Sequence, residues 1–322
     1  MNTAVDRTAV LLVNWNNGHE CVQCIDSLLG MATDNFDIVV VDNDSSDGSV
    51  AHILTWCHHP VPPPGGSQRP GVAFDSQAGR HGVPAQVLEP TATLPPPAAR
   101  GVRVFIVPAG SNRGFAAGNN LGLRVAGLQA YSHFWLLNTD TVVQRQALPA
   151  LLRRAAADPR IGMVGSTLLY FDAPDRVQAL GGAWLDPRRM LTAHIGVDEP
   201  ASLIPERPAE VEAQMAYVVG ASMLVSAAFV RDVGPMQEDY FLYFEELDWA
   251  QRAQGRGLLV GERLRRPHHD EGKLRYLTLE GKELAAYRLP EAPLRLLLFA
   301  SRDRLVVTSF LCEAAEFAIE LP

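Results

Sequence analysis

Asp37-Ile38-Val39-Val40-Val41-Asp42-Asn43-Asp44 decides how this chain folds. The β-branched run is continuous rather than alternating, as in a strand covered on both faces of a parallel sheet. It stops abruptly in polar, turn-forming residues that continue as Ser45-Ser46-Asp47-Gly48. Just upstream, residues 9–13 form a second short apolar run ending in Asn14-Trp15-Asn16-Asn17-Gly18. Residues 20–30 between the two runs have helical spacing and close on Gly30, a C-cap candidate. Strand, helix, strand in this order requires a parallel sheet with a crossover helix. Both polar turns then share the carboxyl edge of that sheet, where ligands of open α/β sheets bind. Ser46 or Asp47 is placed to cap a following helix over 49–56.

The same grammar recurs downstream. A third strand is expected over 102–107, then Gly110-Ser111-Asn112-Arg113-Gly114-Phe115-Ala116-Ala117-Gly118-Asn119-Asn120-Leu121-Gly122. Gly114, Gly118 and Gly122 line one helix face, which admits either the sheet or a diphosphate to close approach. This is not a dinucleotide-binding G-x-G-x-x-G. Phe134-Trp135-Leu136-Leu137-Asn138-Thr139-Asp140 is a buried strand ending in two oxygen-bearing side chains two residues apart. If the strand runs to its end, Asn138 and Asp140 share a face and suit a hard cation such as Mg²⁺ or Mn²⁺; an Asn-Thr-Asp turn explains the same residues. A helix over 142–157, a strand over 161–165 and a strand over 217–225 with a Gly220-Ala221 gap complete the regular pattern. That gap marks a bulge or admits a ligand.

Between residues 57 and 101 the pattern dissolves into Pro-, Gly-, Ala- and Gln-rich sequence bracketed by Pro62-Pro63-Pro64 and Pro95-Pro96-Pro97. It is expected to be a flexible insertion within a domain spanning 1–272, with residues 273–322 a helical extension. Residues 294–311 there read as an amphipathic helix for packing or membrane-surface contact.

Composition bounds the function. The chain has 322 residues, 47% hydrophobic and 20% charged, with a formal net charge of -8. That balance is ordinary for a globular protein and opposes general nucleic-acid binding. Four cysteines form no disulfide framework at this size, and Cys21 and Cys24 fit the apolar face of a helix better than a redox or zinc pair. The start of the chain lacks the pattern of a secretory signal, and no apolar stretch reaches the roughly 20 residues of a membrane span. A cytoplasmic protein is expected.

Asp239-Tyr240-Phe241-Leu242-Tyr243-Phe244-Glu245-Glu246-Leu247-Asp248 places three carboxylates in four positions beside aromatics. Crowded like charges near apolar rings raise pKa values, as a general base needs. Asp248 has Arg252 one helical turn on and suits an ion pair at least as well as catalysis. Glu246 has no such partner. His268 and His269 follow in Arg265-Arg266-Pro267-His268-His269-Asp270 and by themselves read as surface residues.

Five of these stretches, in this order, resemble the family 2 (GT-A fold) glycosyltransferases, especially the rhamnosyltransferase-like and galactofuranosyltransferase-like members. Val13-Asn14-Trp15-Asn16 is similar to V-[ST]-Y-N, and 39–48 to V-V-D-N-x-S-x-D-G. Residues 112–122 are similar to N-x-G-F-[AG]-x-G-N-N-x-G, Leu137-Asn138-Thr139-Asp140 to L-N-P-D, and 241–248 to F-x-Y-x-E-D-x-D. The resemblance covers about residues 9–272 and implies a mostly parallel α/β sheet flanked by helices. It implies an inverting transfer of a sugar, rhamnose by subtype, from a nucleoside-diphosphate donor to a glycan or lipid-linked acceptor. It further implies Mg²⁺ or Mn²⁺, and peripheral work at the inner face of the cytoplasmic membrane. Carried over by position, Asp42 lies at the nucleobase and Asn112 and Asn119 near the ribose and diphosphate, with Asn14, Arg113 and Gly114 also among the donor-binding residues. Asp140 holds the metal with Asn138 nearby, His269 completes the metal site, and Glu246 is the base. Glu245, Asp248 and Trp184 support the acceptor side, with residues 181–186 shaping it. Glu246 stands where the family has Asp, one methylene shorter, and Gln237 where it commonly has Asp. These departures motivate the alternative of a degenerate nucleotide-sugar-binding protein. A nucleotidyltransferase is disfavoured because no glycine-rich basic loop opens the chain.

Overall fold

The computed structural model describes residues 7–61, 82–186, 189, 191–205 and 208–254, together with short strand segments from residue 259 onward. Its elements run β1 (Thr8–Asn14), α1 (Gly18–Leu29), β2 (Phe36–Asp42), α2 (Ser49–His58), β3 (Ala85–Val87), β4 (Val104–Pro108), α3 (Gly114–Ala126) and β5 (His133–Asn138). Beyond these lie α4 (Ala147–Ala155), β6 (Ile161–Gly165), β7 (Thr167–Leu169), β8 (Val177–Leu180), β9 (Gly182–Asp186), β10 (Leu191–His194), α5 (Pro208–Glu212) and β11 (Tyr217–Val218). Next come β12 (Ser222–Ser226), α6 (Ala227–Val233), α7 (Glu245–Gln254) and β13 (Leu259–Val260).

Among the described residues the central sheet has eight strands in the order β13-β6-β12-β5-β1-β2-β4-β3. Only β12 runs antiparallel to its neighbours, β5 and β6. The expected mostly parallel α/β sheet is therefore what forms. All seven residues of β2 are buried, because helices cover both faces. Alternate side chains of each strand divide between two cores, as the two-residue strand period requires. Val10, Leu12, Ile38, Val40, Trp135 and Leu137 pack with α1, α2 and α4. Leu11, Val39, Val41 and Leu136 pack with α3, α6 and α7. Cys21 and Cys24 lie fully inside the first core, with burial raising both thiols well above their ordinary range.

The glycine face of α3 has a clear purpose. A Cβ on Gly118 would stand 2.7 Å from Val13 Cγ1, and one on Gly122 would touch Leu11 and Val41 at 3.4 Å. These two glycines let the helix lie on β1 and β2 rather than on a ligand.

Three expectations need correction. Residues 82–101 are built into the domain: β3 extends the sheet at β4, and Leu94 is buried with its N–H donating to Val125 O. The Pro-rich composition hid a three-residue strand and one anchoring leucine; residues 62–81 lie outside the described residues. The single strand expected over 217–225 is two, because the chain turns at Gly220 and Ala221. β11 joins β9 and β10 in a second sheet, whereas β12 returns to the first. Beyond residue 272 the described segments are antiparallel strands, among them Phe299–Ser301 and Arg304–Val307 where a helix was expected. The run Leu305-Val306-Val307 satisfies β preference through its branched side chains.

Candidate active site at the carboxyl edge of the sheet

From β1 the chain builds outward through β2 and β4, then returns to β5 on the other side of β1. This makes β1/β5 the switch point at which open α/β sheets form a ligand crevice. The polar strand ends meet in register there. Asn14 pairs with Asp42 and Asp42 with Pro108, while Asn138 lies beside Val13.

Around β1 and β2 the polar ends organise one another. Asn14 Nδ2 donates to Asp42 Oδ1 at 2.9 Å and to Ser45 Oγ at 3.2 Å, and Ser45 N donates to Asp42 Oδ2 at 3.0 Å. Asn14 and Asp42 are both buried, and Asn14 Oδ1 has no partner. A buried acceptor left open at a strand end marks a position where a donor from a ligand would fit. Asn16 and Asp44 have positive φ, 51° and 64°, so both turns include left-handed residues without glycine. Gly48, not Ser46 or Asp47, is the N-cap of α2. Asp47, one residue before it, accepts from Ser49 Oγ at 2.5 Å and Ser49 N at 2.9 Å, and these bonds lower its carboxyl pKa.

Asn112 accepts the Gly114 N–H at 3.0 Å and so starts α3. Arg113 is exposed and pairs with Glu238 at 2.8 Å. Asn119 is 1% exposed and returns its amide to Phe115 O within its own helix. These bonds position the first turn of α3 rather than leave three side chains reaching outward. Gly114 has φ +87°, and an added Cβ would collide with the Phe241 carbonyl. Phe115 N donates to that same carbonyl at 3.1 Å. Asn120, which the sequence did not single out, makes a two-way clasp: Nδ2 donates to Met236 O at 2.8 Å and Oδ1 accepts Met236 N at 3.0 Å. The start of α3 is thereby fastened to the loop that leads into α7.

β5 ends at Asn138, and Thr139 and Asp140 form a turn. Asn138 and Asp140 therefore do not share a strand face, because β5 ends two residues before Asp140. Thr139 is buried and Asp140 is exposed. Protein packed around the Asp140 carboxyl raises its pKa, with a smaller push from the Glu20 carboxylate on α1. Both Asn138 and Asp140 line a cleft of about 810 Å³ that continues over Ser166, Leu168, Gly181 and Val219. Beneath the strand end, the Cys24 thiol reaches Asn138 O at 3.7 Å.

The carboxylates of α7 complete the edge. Tyr243 and Phe244 have φ of 71° and 70°, two successive non-glycine residues in the left-handed region. Each costs roughly 1–3 kcal/mol, and such outliers gather at functional sites. Glu245, next in line, is 1% exposed with Oε2 unpartnered. Desolvation, with the Glu246 charge added, pushes its pKa far above the carboxylate range, so Glu245 holds its proton at neutral pH. Glu246 is half-buried; burial raises its pKa too, against the lowering effect of its own N–H and that of Gly220. Asp248 binds Arg252 at 2.9 Å, and Arg252 also donates to Val233 O and Pro235 O. That is the structural role expected as one reading of Asp248. Trp184 is 40% exposed on β9, in the second sheet.

Asn138 and Glu246 meet through one short segment. Asn138 N donates to Ala221 O at 3.0 Å, and Glu246 rests its carboxylate against the neighbouring Gly220. Asn138 and Asp140 supply hard oxygen donors, and no group of three or more His, Cys, Asp or Glu surrounds a common point among the described residues. This donor set fits a Mg²⁺-type ion that takes one or two protein oxygens and completes its shell with phosphate oxygens. His269 lies outside the described residues.

No protein-family model and no curated protein matches the chain. Among solved structures it is similar to a mannosyltransferase from Pyrobaculum calidifontis in complex with GDP-Man and Mn²⁺, at 16% identity and a TM-score of 0.46, over 80% of this chain and 54% of that one. It is also similar to S. aureus TarS 1-349 in complex with UDP-GlcNAc, at 12% identity and a TM-score of 0.42, over 77% of this chain and 53% of that one. The chain thus spans about half the length of either protein.

Proposed function

We propose that this protein is an inverting glycosyltransferase of the GT-A kind that uses a nucleoside-diphosphate sugar. The observation that carries this reading is the link between two places on the edge: the β5 end, two residues before Asp140, is hydrogen-bonded to Ala221, and Glu246 rests against the adjoining Gly220. The Asn14–Asp42 pair, with its open Asn14 acceptor, receives the nucleobase side of the donor. Asp140, with Asn138 beside it, would hold Mg²⁺ or Mn²⁺. Bound there, such a cation would neutralise charge on the diphosphate oxygens.

Glu246 is the general base. It is half-buried and the backbone N–H of Gly220 favours its charged form, whereas Glu245 is sealed off and holds its proton. Glu246 accepts the proton of an acceptor hydroxyl as that oxygen attacks the anomeric carbon, and the sugar–phosphate bond breaks on the opposite face. The configuration inverts, and the nucleoside diphosphate leaves. The acceptor is a glycan or lipid-linked saccharide, the donor sugar rhamnose-like, and the working place the inner surface of the cytoplasmic membrane. No described helix is long and apolar enough to cross a membrane.

The test is release of nucleoside diphosphate from a panel of UDP-, GDP- and dTDP-sugars, with Mg²⁺ or Mn²⁺ and glycan or lipid-linked acceptors. Glu246→Gln should cost about 10²–10⁴-fold in rate, the usual contribution of a general base. If Asp140→Ala and Glu246→Gln both turn over at the wild-type rate, the assignment is wrong. Donor binding without turnover on every acceptor would point to a degenerate nucleotide-sugar-binding protein.

A further inference from the structure

Glu246 carries one methylene more than the aspartate otherwise expected at its position, and a base displaced by about 1 Å loses on the order of 10²-fold in rate. Something must accommodate the longer side chain. The turn between β11 and β12 supplies the room. Gly220 is buried, and a Cβ built on it would collide with Glu246 Oε1 and stand 2.9 Å from Cδ and 3.1 Å from Cγ. The terminal half of the Glu246 side chain thus occupies the space that any other residue at 220 would fill.

Backbone geometry does not explain this glycine. Gly220 does not have the positive φ of Gly181 and Gly196 nearby. Main-chain strain therefore does not require glycine here, and the three atoms nearest an added Cβ all belong to the Glu246 side chain. The Gly220 N–H also acts on that carboxylate and favours its charged form. On the far side, Ala221 O receives the Asn138 N–H at 3.0 Å, so whatever seats Glu246 also fixes it relative to the β5 strand end.

We propose that Gly220 is the positioning residue for the catalytic base: it provides the vacancy in which Glu246 lies and the backbone N–H that orients its carboxylate. The inference rests on Glu246 being the base. Residues 220 and 246 are then a matched pair, a short residue at one position permitting a long acid at the other. Gly220→Ala pushes the carboxylate outward. Glu246→Asp leaves the vacancy empty and the carboxylate short of its place. Both changes together restore a filled contact.

The experiment uses the full chain, the donor it turns over from the UDP-, GDP- and dTDP-sugar panel, and Mn²⁺. Gly220→Ala should lower kcat about 10²-fold with donor KM within a few-fold. It should also move the acidic limb of the pH–rate profile upward, because the carboxylate loses an N–H that favours its charge. Glu246→Asp alone should lower kcat about 10-fold or more, as a misplaced base does. The double variant should recover about 10-fold over Gly220→Ala, to the level of Glu246→Asp alone, because the shorter acid no longer meets the added methyl. Wild-type kcat in Gly220→Ala, or strictly additive losses in the double variant, overturns the proposal. If Gly220→Ala does not fold, cooperative melting regained in the double variant supports the same contact, and continued failure to fold counts against it. Glu246→Gln separates the two levels. Full activity there removes the base assignment itself, whereas its loss beside an unaffected Gly220→Ala removes only the positioning role.

Discussion

Adjacent glutamates at the start of α7 are chemically unlike one another. Glu245 is sealed, with Oε2 unpartnered, and burial together with the Glu246 charge holds its folded pKa above its unfolded one. In the pH range between those values the unfolded chain binds fewer protons than the native chain, and stability falls as pH rises. Glu245→Gln keeps the neutral, isosteric form. It should therefore stabilise the protein at about pH 8 and have little effect at about pH 4, with each pKa unit removed equivalent to about 1.4 kcal/mol. Paired thermal melts at the two pH values check this, and equal shifts at both would refute it. Turnover in Glu245→Gln should stay within a few-fold of wild type, in contrast to Glu246→Gln. For Glu246 itself, the raised pKa places the acidic limb of the kcat/KM profile above the usual glutamate value of about 4.3. A limb at or below that value would argue against Glu246 as the base. None of this distinction was legible in Glu245-Glu246-Leu247-Asp248. The sequence showed crowded carboxylates, but which one is dry depends on what α7 packs against.

At the scale of elements, α3 and the loop before α7 form one unit. Gly114 meets the Phe241 backbone, and Asn120 clasps Met236 from both sides of its amide. Gly114→Ala introduces a left-handed non-glycine residue, at about 1–2 kcal/mol, and forces Phe241 away. Because Phe241 leads directly into the strained Tyr243–Phe244 pair, the same change should lower kcat as well as the urea midpoint. Asn120→Ala leaves both Met236 main-chain groups without their partners in a buried setting and should cost about 1–3 kcal/mol per orphaned group. Urea unfolding with unchanged m-value would measure it. The glycine spacing in 114–122 was visible in the sequence, and two alternatives were open for it. The sheet, not a diphosphate, occupies the face of Gly118 and Gly122. Spacing alone could not choose, because either partner needs the same absence of Cβ.

For the whole molecule, the opposite edge of the sheet is held by a buried charge cluster. Asp37, at the start of β2, accepts from Arg7 at 3.0 Å, Arg103 at 2.8 Å and Tyr131 Oη at 2.8 Å. Desolvation opposes its charge, but the bonds from Arg103, Arg7 and Tyr131 prevail, and its pKa lies below the ordinary value. Such a group stabilises the fold above its unfolded pKa, near about 3.9, and that contribution is lost as pH falls through the folded value. Asp37→Ala strands Arg7, which is 0% exposed, without its partner. A loss of about 3–5 kcal/mol is expected, as for other broken buried pairs. The acid-unfolding midpoint should also become less sensitive to pH near about 3. Chemical denaturation from about pH 3 to neutrality would decide it. Since the cluster lies at the edge away from Asn14, Asp42 and Asn138, any Asp37 variant that stays folded should keep its kcat.

By itself the sequence determined the layered α/β sheet, the polar carboxyl edge and the candidate residues along it. Buried β-branched runs, helical periodicity and turn residues are local signals, and those from residue 9 to 138 carry into β1, α1, β2, α2, β4, α3 and β5. The tertiary structure decided the rest. It made 82–101 part of the sheet, ended β5 before Asp140, and bent the chain at Gly220 so that Glu246 had somewhere to lie. Those outcomes depend on which distant surfaces meet. Burial, an unpartnered oxygen and the absence of a Cβ acquire meaning only from the atom on the other side.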